Sequence, residues 1–231
     1  VTPNTVLSQS PTSASTLSGR ITVVLSSLFL AILFLLHFLE PEFDPSWRMI
    51  SEYEIGRYGW LMSPAFFCWG GSVLALLVTL WPSLRTLGGK IGRWWLVLLG
   101  IALFGAGIFK TNAITDPTPS TANSLHTLCG ALVILTFPMV VTLIAASLAR
   151  HPEWASVRRW LPWGTVLVWL SLFAYFGSMI LSNVINPAAG RVGPEVYQGW
   201  PNRLMVVVYN LWLIWIALNA LRTARQKVES R

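Results

Sequence analysis

The stretch Lys110-Thr-Asn-Ala-Ile-Thr-Asp-Pro-Thr-Pro-Ser-Thr-Ala-Asn-Ser-Leu-His126 is a polar hinge between two apolar runs, residues 94–109 and 125–149. Asp116-Pro-Thr-Pro forces an extended or turned connection, because a residue before proline avoids the helical region. Two apolar runs joined by so short a link read as an antiparallel pair of helices. Working outward, four more runs approach or exceed the roughly 20 residues a helix needs to cross a hydrocarbon core: residues 21–39, 60–81, 160–185 and 204–221. The sequence therefore predicts an all-α integral membrane protein with six transmembrane helices in a single bundle.

Composition leads to the same class. Hydrophobic residues make up 54% of the 231 positions, charged residues only 11%, and the mean hydropathy is +0.60. A soluble domain carries about 25% charged residues. Tryptophans near run ends, including Trp60, Trp81, Trp94, Trp160 and Trp200, match the aromatic belts of membrane interfaces. The net charge of +7 does not point to nucleic acid, because the basic residues are dispersed between apolar runs and form no recognition pattern. Cys68 and Cys129 fall inside apolar runs without ligand spacing, so both are expected to be buried free thiols.

The first run follows Arg20 and continues into His37-Phe-Leu-Glu40-Pro with no small-residue cleavage site, so it is read as a retained helix rather than a signal peptide. Residues 1–19 are rich in Ser, Thr and Pro and are expected to be a disordered cytoplasmic tail; residues 20–222 form the transmembrane domain, and 223–231 a basic cytoplasmic tail. Short cytoplasmic connections collect Lys and Arg. Eleven of the sixteen basic residues lie on one side of the predicted topology, while Arg48, Arg57, Lys110, Arg191 and Arg203 share the other with seven of the nine acids. That asymmetry predicts a cell (inner) membrane protein with both termini cytoplasmic.

Ala102, Ala106 and Lys110 recur every four residues on the third helix, a spacing that permits close helix contact in lipid. Pro138 should break one backbone bond in the fourth helix, with Thr136 and Thr142 placed to satisfy freed carbonyls. Asn123 or Ser124 is expected to cap that helix, putting His126 in its first turn with a neutral imidazole.

Polar residues gather at the outward ends of several helices: His37, Glu40, Ser51, Glu52, Lys110, Asp116, His126, Asn202 and Arg203. Each one taken alone can be interfacial snorkelling. Together they define a candidate pocket in which Glu52, Asp116, His126, Arg203, Asn202 and Lys110 bind, or help to move, a lipid or other small amphiphile, with Arg203 paired to Glu52 or Asp116. A second reading is a membrane-embedded hydrolase with Ser51 as nucleophile, His126 as base and Asp116 or Glu52 as orienting acid, although Ser51 lacks a nucleophile-elbow motif. A third is an accessory or scaffold subunit with membrane-protein partners. No metal or cofactor is expected, because the two outward histidines, His37 and His126, lack the spacing of a ligand motif.

Several short motifs carry a resemblance: Ser51-Glu52 before the second helix, Gly107-Ile-Phe109, Asp116 with a Thr-rich turn, Leu125-His126 with Gly130, and Gly199-Trp-Pro-Asn202-Arg203-Leu204. Their arrangement resembles the bacterial and archaeal membrane family known as domain of unknown function 998, over nearly the whole chain after residue 20. That family has a Gly three residues before the His and a Gln-Arg pair at the last helix, where this sequence has Asn123 and Asn202-Arg203. The resemblance implies an architecture and candidate positions, and no reaction.

Overall fold

A computed structural model describes residues 13–186 and 192–229. Six helices are long and apolar enough to cross a membrane: α1 (Ser13–Leu39), α2 (Met62–Leu80), α3 (Leu87–Ile108), α4 (Thr121–Ala149), α5 (Leu161–Ile185) and α6 (Gly199–Glu229). The described residues contain no strand. The α1–α2 connection carries 3-10 helices at Ile50–Ile55 and Gly59–Leu61.

Several boundaries differ from those read in the sequence. α1 begins at Ser13, inside the stretch expected to be a tail; the part of that tail before Ser13 lies outside the described residues. Ser18 explains the extension, because its hydroxyl is buried against Thr79 of α2 at 2.9 Å. At the other end α6 runs to Glu229, so most of the expected C-terminal tail is helix. α3 starts seven residues earlier than its apolar run, capped by Thr86 accepting from the Gly89 amide. The cap of α4 is Ser120, whose Oγ accepts from the Asn123 amide at 3.1 Å, so His126 sits in the second turn. Asn123 instead turns its side chain back into the preceding loop.

Small residues mark where helices approach. A Cβ on Gly70 would meet the Gly100 carbonyl of α3 at 3.1 Å, and one on Gly71 would meet Leu25 of α1 at 2.9 Å. Ala102 and Ala106 are buried on α3, while Lys110, beyond the helix end at Ile108, is exposed. Without a hydrophobic drive between helices in lipid, such close packing is the main source of cohesion. Both cysteines are free but only half-buried.

Pro138 lies inside α4 and has no N–H to give the carbonyl of Ile134. The expected threonines bond elsewhere: Thr136 donates to Leu132 O and Thr142 to Pro138 O. The orphan carbonyl is reached from α6, where the buried Tyr209 hydroxyl donates to Ile134 O at 2.9 Å and its ring stacks on Phe137 with centroids 4.4 Å apart. Tyr209→Phe is expected to lower stability in detergent by about 1–3 kcal/mol, the cost of one unsatisfied buried acceptor. In a Pro138→Ala background the helix regains its own donor and the loss should shrink; an equal loss in both backgrounds would refute the pairing.

At one end of the bundle the three long connections meet. The Gly199 amide donates to Ser46 O, the Ile50 amide to Asn202 Oδ1, the Ile114 amide to Glu52, and the Thr111 amide to Glu54. A side chain on Gly199 would collide with the backbone of residues 45–48, so only glycine lets that loop lie across the start of α6.

Candidate functional site

Beneath the joined connections lies a cavity of about 550 Å³, within the range of small-ligand sites, roughly 300–1,000 Å³. Its polar end is bordered by Ser51, Glu52, Asp116, Asn123 and Asn202. From there its wall descends α4 as far as Leu135 and meets Phe176 and Met179 of α5. Asn123 to Leu135 is about 18 Å of helix at 1.5 Å per residue, enough to run from the interface to the middle of a core about 30 Å thick. Leu135 and Phe176, at the deep end between α4 and α5, are exposed residues.

Of the residues singled out in the sequence, Ser51, Glu52, Asp116, His126 and Asn202 border this cavity, whereas Lys110 and Arg203 do not. Glu52 is buried and committed: Oε1 accepts from Arg48 Nη1 at 2.6 Å and the Ile114 amide at 2.8 Å, and Oε2 from the Met49 amide at 2.9 Å. It closes the first turn of the 3-10 helix and staples the α3–α4 connection to it. Asp116 serves its own turn, accepting from the Thr118 amide and hydroxyl and from Asn112 Nδ2. The Thr118 amide and then Asn112 hold its carboxyl below the usual range.

The expected pairing of Arg203 with Glu52 or Asp116 is not what the chain forms. Arg203 is buried yet makes no ion pair among the described residues. Its Nε donates to His37 Nε2 at 2.9 Å, Nη2 to the Tyr53 hydroxyl at 3.0 Å, and Nη1 to the carbonyls of Arg48 and Gly199 at 2.5 and 3.1 Å. Carbonyl dipoles and ring faces of Tyr53 and Trp200 replace the carboxylate. The guanidinium thus ties α1, the 43–48 loop and the 3-10 helix to α6. His37 is saturated by the same cluster, since its Nδ1 faces Leu33 O at 2.7 Å.

His126 is buried, and its Nδ1 lies 2.9 Å from Ala106 O and 2.8 Å from Phe109 O at the end of α3. Carbonyls only accept, so Nδ1 carries the proton and Nε2 is the acceptor of the neutral ring. Asp116 therefore does not orient this imidazole; the backbone of α3 does. No hydrogen bond joins Ser51 to His126 among the described residues.

Two groups that the sequence reading did not select stand out. Glu54 is buried beside His126, with Oε2 accepting from the Thr111 amide at 3.0 Å and lying 3.6 Å from His126 Nδ1, and with Oε1 unpartnered among the described residues. Burial raises its pKa to about 7, with the Thr111 amide and the Lys110 charge partly opposing. Gln198 borders the cavity and is fully buried, and among the described residues neither its Nε2 nor its Oε1 is hydrogen-bonded. Its position one residue before the Gly199-Trp-Pro helix start was the available sequence signal.

Comparison with protein families matches residues 23–219 to the family described as "Protein of unknown function (DUF998)". No curated protein and no solved structure matches.

Proposed function

We propose, from the premise that the chain belongs to the DUF998 family of proteins of unknown function, that it is a multi-pass membrane protein whose cavity binds, or helps to move, a lipid or other small amphiphile. The observation that carries this reading is the course of the cavity, from a polar layer at Glu52, Asp116 and Asn202 to an apolar end beside Leu135 and Phe176. A headgroup would sit in the layer and a tail along α4 and α5. Membrane lipids are the corresponding partners. The polar end faces outward across the cell membrane, with both termini cytoplasmic, on the strength of the basic-residue asymmetry.

Gly130 provides the test, because it borders the cavity and a Cβ there would meet nothing within 4 Å. Diazirine-bearing C18 fatty alcohol and fatty acid probes, photolysed in native membranes, should label residues 130–135 and 175–179, and Gly130→Phe should abolish the labelling. Labels spread evenly over the outer faces of the helices, or unchanged by Gly130→Phe, would sink the reading. In a Cys-free background, a cysteine at Thr118 should react with an impermeant maleimide in whole cells, while cysteines at Ser83 and Ser156 should not.

The serine-hydrolase alternative keeps one supporting observation: Ser51 and the unprotonated Nε2 of His126 belong to residues bordering the same cavity. Either orienting acid is engaged elsewhere. A fluorophosphonate that labels the wild type and spares Ser51→Ala would favour it over simple binding. An accessory subunit of a membrane complex would show neither probe labelling nor fluorophosphonate labelling.

A further inference from the structure

We propose that the cavity selects an uncharged headgroup that both donates and accepts hydrogen bonds, such as an alcohol, an acylglycerol or a primary amide, over carboxylate, phosphate and ammonium. This rests on the amphiphile reading above and specifies its ligand. The observation is Gln198, a residue that borders the cavity and is fully buried, with both polar atoms of its amide unpartnered among the described residues. Buried polar atoms are nearly always paired, and one left open costs free energy until a partner arrives. Gln198 offers a donor and an acceptor side by side, and turning the amide over exchanges the two without changing what must meet them.

The neighbours narrow the choice. His126 Nε2 is an acceptor, because Nδ1 carries the proton toward the Ala106 and Phe109 carbonyls. Among the described residues the lining includes no Lys or Arg, and its two charged members, Glu52 and Asp116, are both acids. Arg203 is spent on His37, Tyr53 and carbonyls outside the cavity. A carboxylate or phosphate entering here would meet donors such as the Gln198 amide and Trp69 Nε1, but it would face the lone pairs of Gln198 and His126 and bury a charge with no cation to meet it. An ammonium would satisfy the acceptors, but Glu52 is already paired with Arg48 and Asp116 is taken up by its own turn, so neither carboxylate is free to balance it and the Gln198 N–H groups would oppose it. A hydroxyl or amide can satisfy both sides of Gln198 and donate to His126 as well.

The test uses the full chain in phosphatidylcholine nanodiscs and three competitors with the same tail, 1-monooleoylglycerol, oleate and oleylamine, each displacing the diazirine fatty alcohol. Monooleoylglycerol should compete at least about ten-fold better than either charged amphiphile, the equivalent of about 1.4 kcal/mol. Gln198→Met, which keeps the side-chain length and removes both unpartnered atoms, should weaken monooleoylglycerol about ten-fold and oleate by less, narrowing the preference between them. Gln198→Glu, with only acceptors when ionised, should move the preference to oleylamine. Charged amphiphiles competing equally well in the wild type, or a monooleoylglycerol affinity indifferent to both substitutions, would overturn the headgroup assignment while leaving amphiphile binding intact. Failure of all three to displace the probe, or displacement unaltered by Gly130→Phe, would overturn the binding reading itself, and the headgroup assignment with it.

Discussion

Replacing Arg203 with alanine is expected to lower the unfolding free energy of the detergent-solubilised protein by about 3–5 kcal/mol, since at least two charge-assisted hydrogen bonds worth about 1.5–3 kcal/mol each are lost together. The side chain holds His37, Tyr53, Arg48 and Gly199 from four separate segments. Removing it strands buried acceptors in each. Lysine should not rescue the loss, because a point charge cannot reproduce the planar fork that bonds in three directions at once. In double-mutant cycles Arg203→Ala should couple to Tyr53→Phe and be additive, within about 0.5 kcal/mol, with Asp116→Asn. A loss below about 1 kcal/mol, or stronger coupling to Asp116 than to Tyr53, would show that the cation is balanced by charge after all.

The second large effect is pH dependence set by Glu54. Its native pKa is raised from 4.5 to about 7 by burial, so between those values the folded state holds a proton that the unfolded state has lost. A raised carboxyl contributes stability that is fully present below about pH 4.5 and is gone once the pH has passed about 7. The difference in stability between wild type and Glu54→Gln should therefore change by on the order of 3 kcal/mol across this window, at about 1.4 kcal/mol per pKa unit. The wild type should gain relative to the variant as the pH falls. Comparing the two proteins at each pH cancels the titration of distant groups that they share. A flat difference between pH 4.5 and 8 would mean that Glu54 is solvated or ion-paired in the folded protein.

How far the sequence could be read depended on the kind of interaction. The six crossings were legible because apolar runs of membrane length have few other solutions, and Ala102 and Ala106 revealed a packing face through four-residue spacing. The true start of α1 was hidden, because Ser13 to Gly19 looks like a polar tail until Thr79 is placed beside Ser18. Charge logic chose the wrong partner for Arg203, since backbone carbonyls bear no mark in a sequence. Gln198 was overlooked for a related reason. An uncharged amide draws attention only when its surroundings leave it unpaired, and that is a property of three-dimensional packing.

The Tyr209 contact also bears on the order in which the bundle is made. α4 precedes α6 in the chain, so when α4 enters the membrane its Ile134 carbonyl, deprived of a donor by Pro138, has no partner of its own. Hydrocarbon supplies none, and an open backbone group there is costly. The donor arrives only with α6, whose docking supplies the hydrogen bond that Pro138 withholds. Helix α6 thus completes the backbone hydrogen bonding of α4, so the fourth helix is fully satisfied only when α6 packs against it.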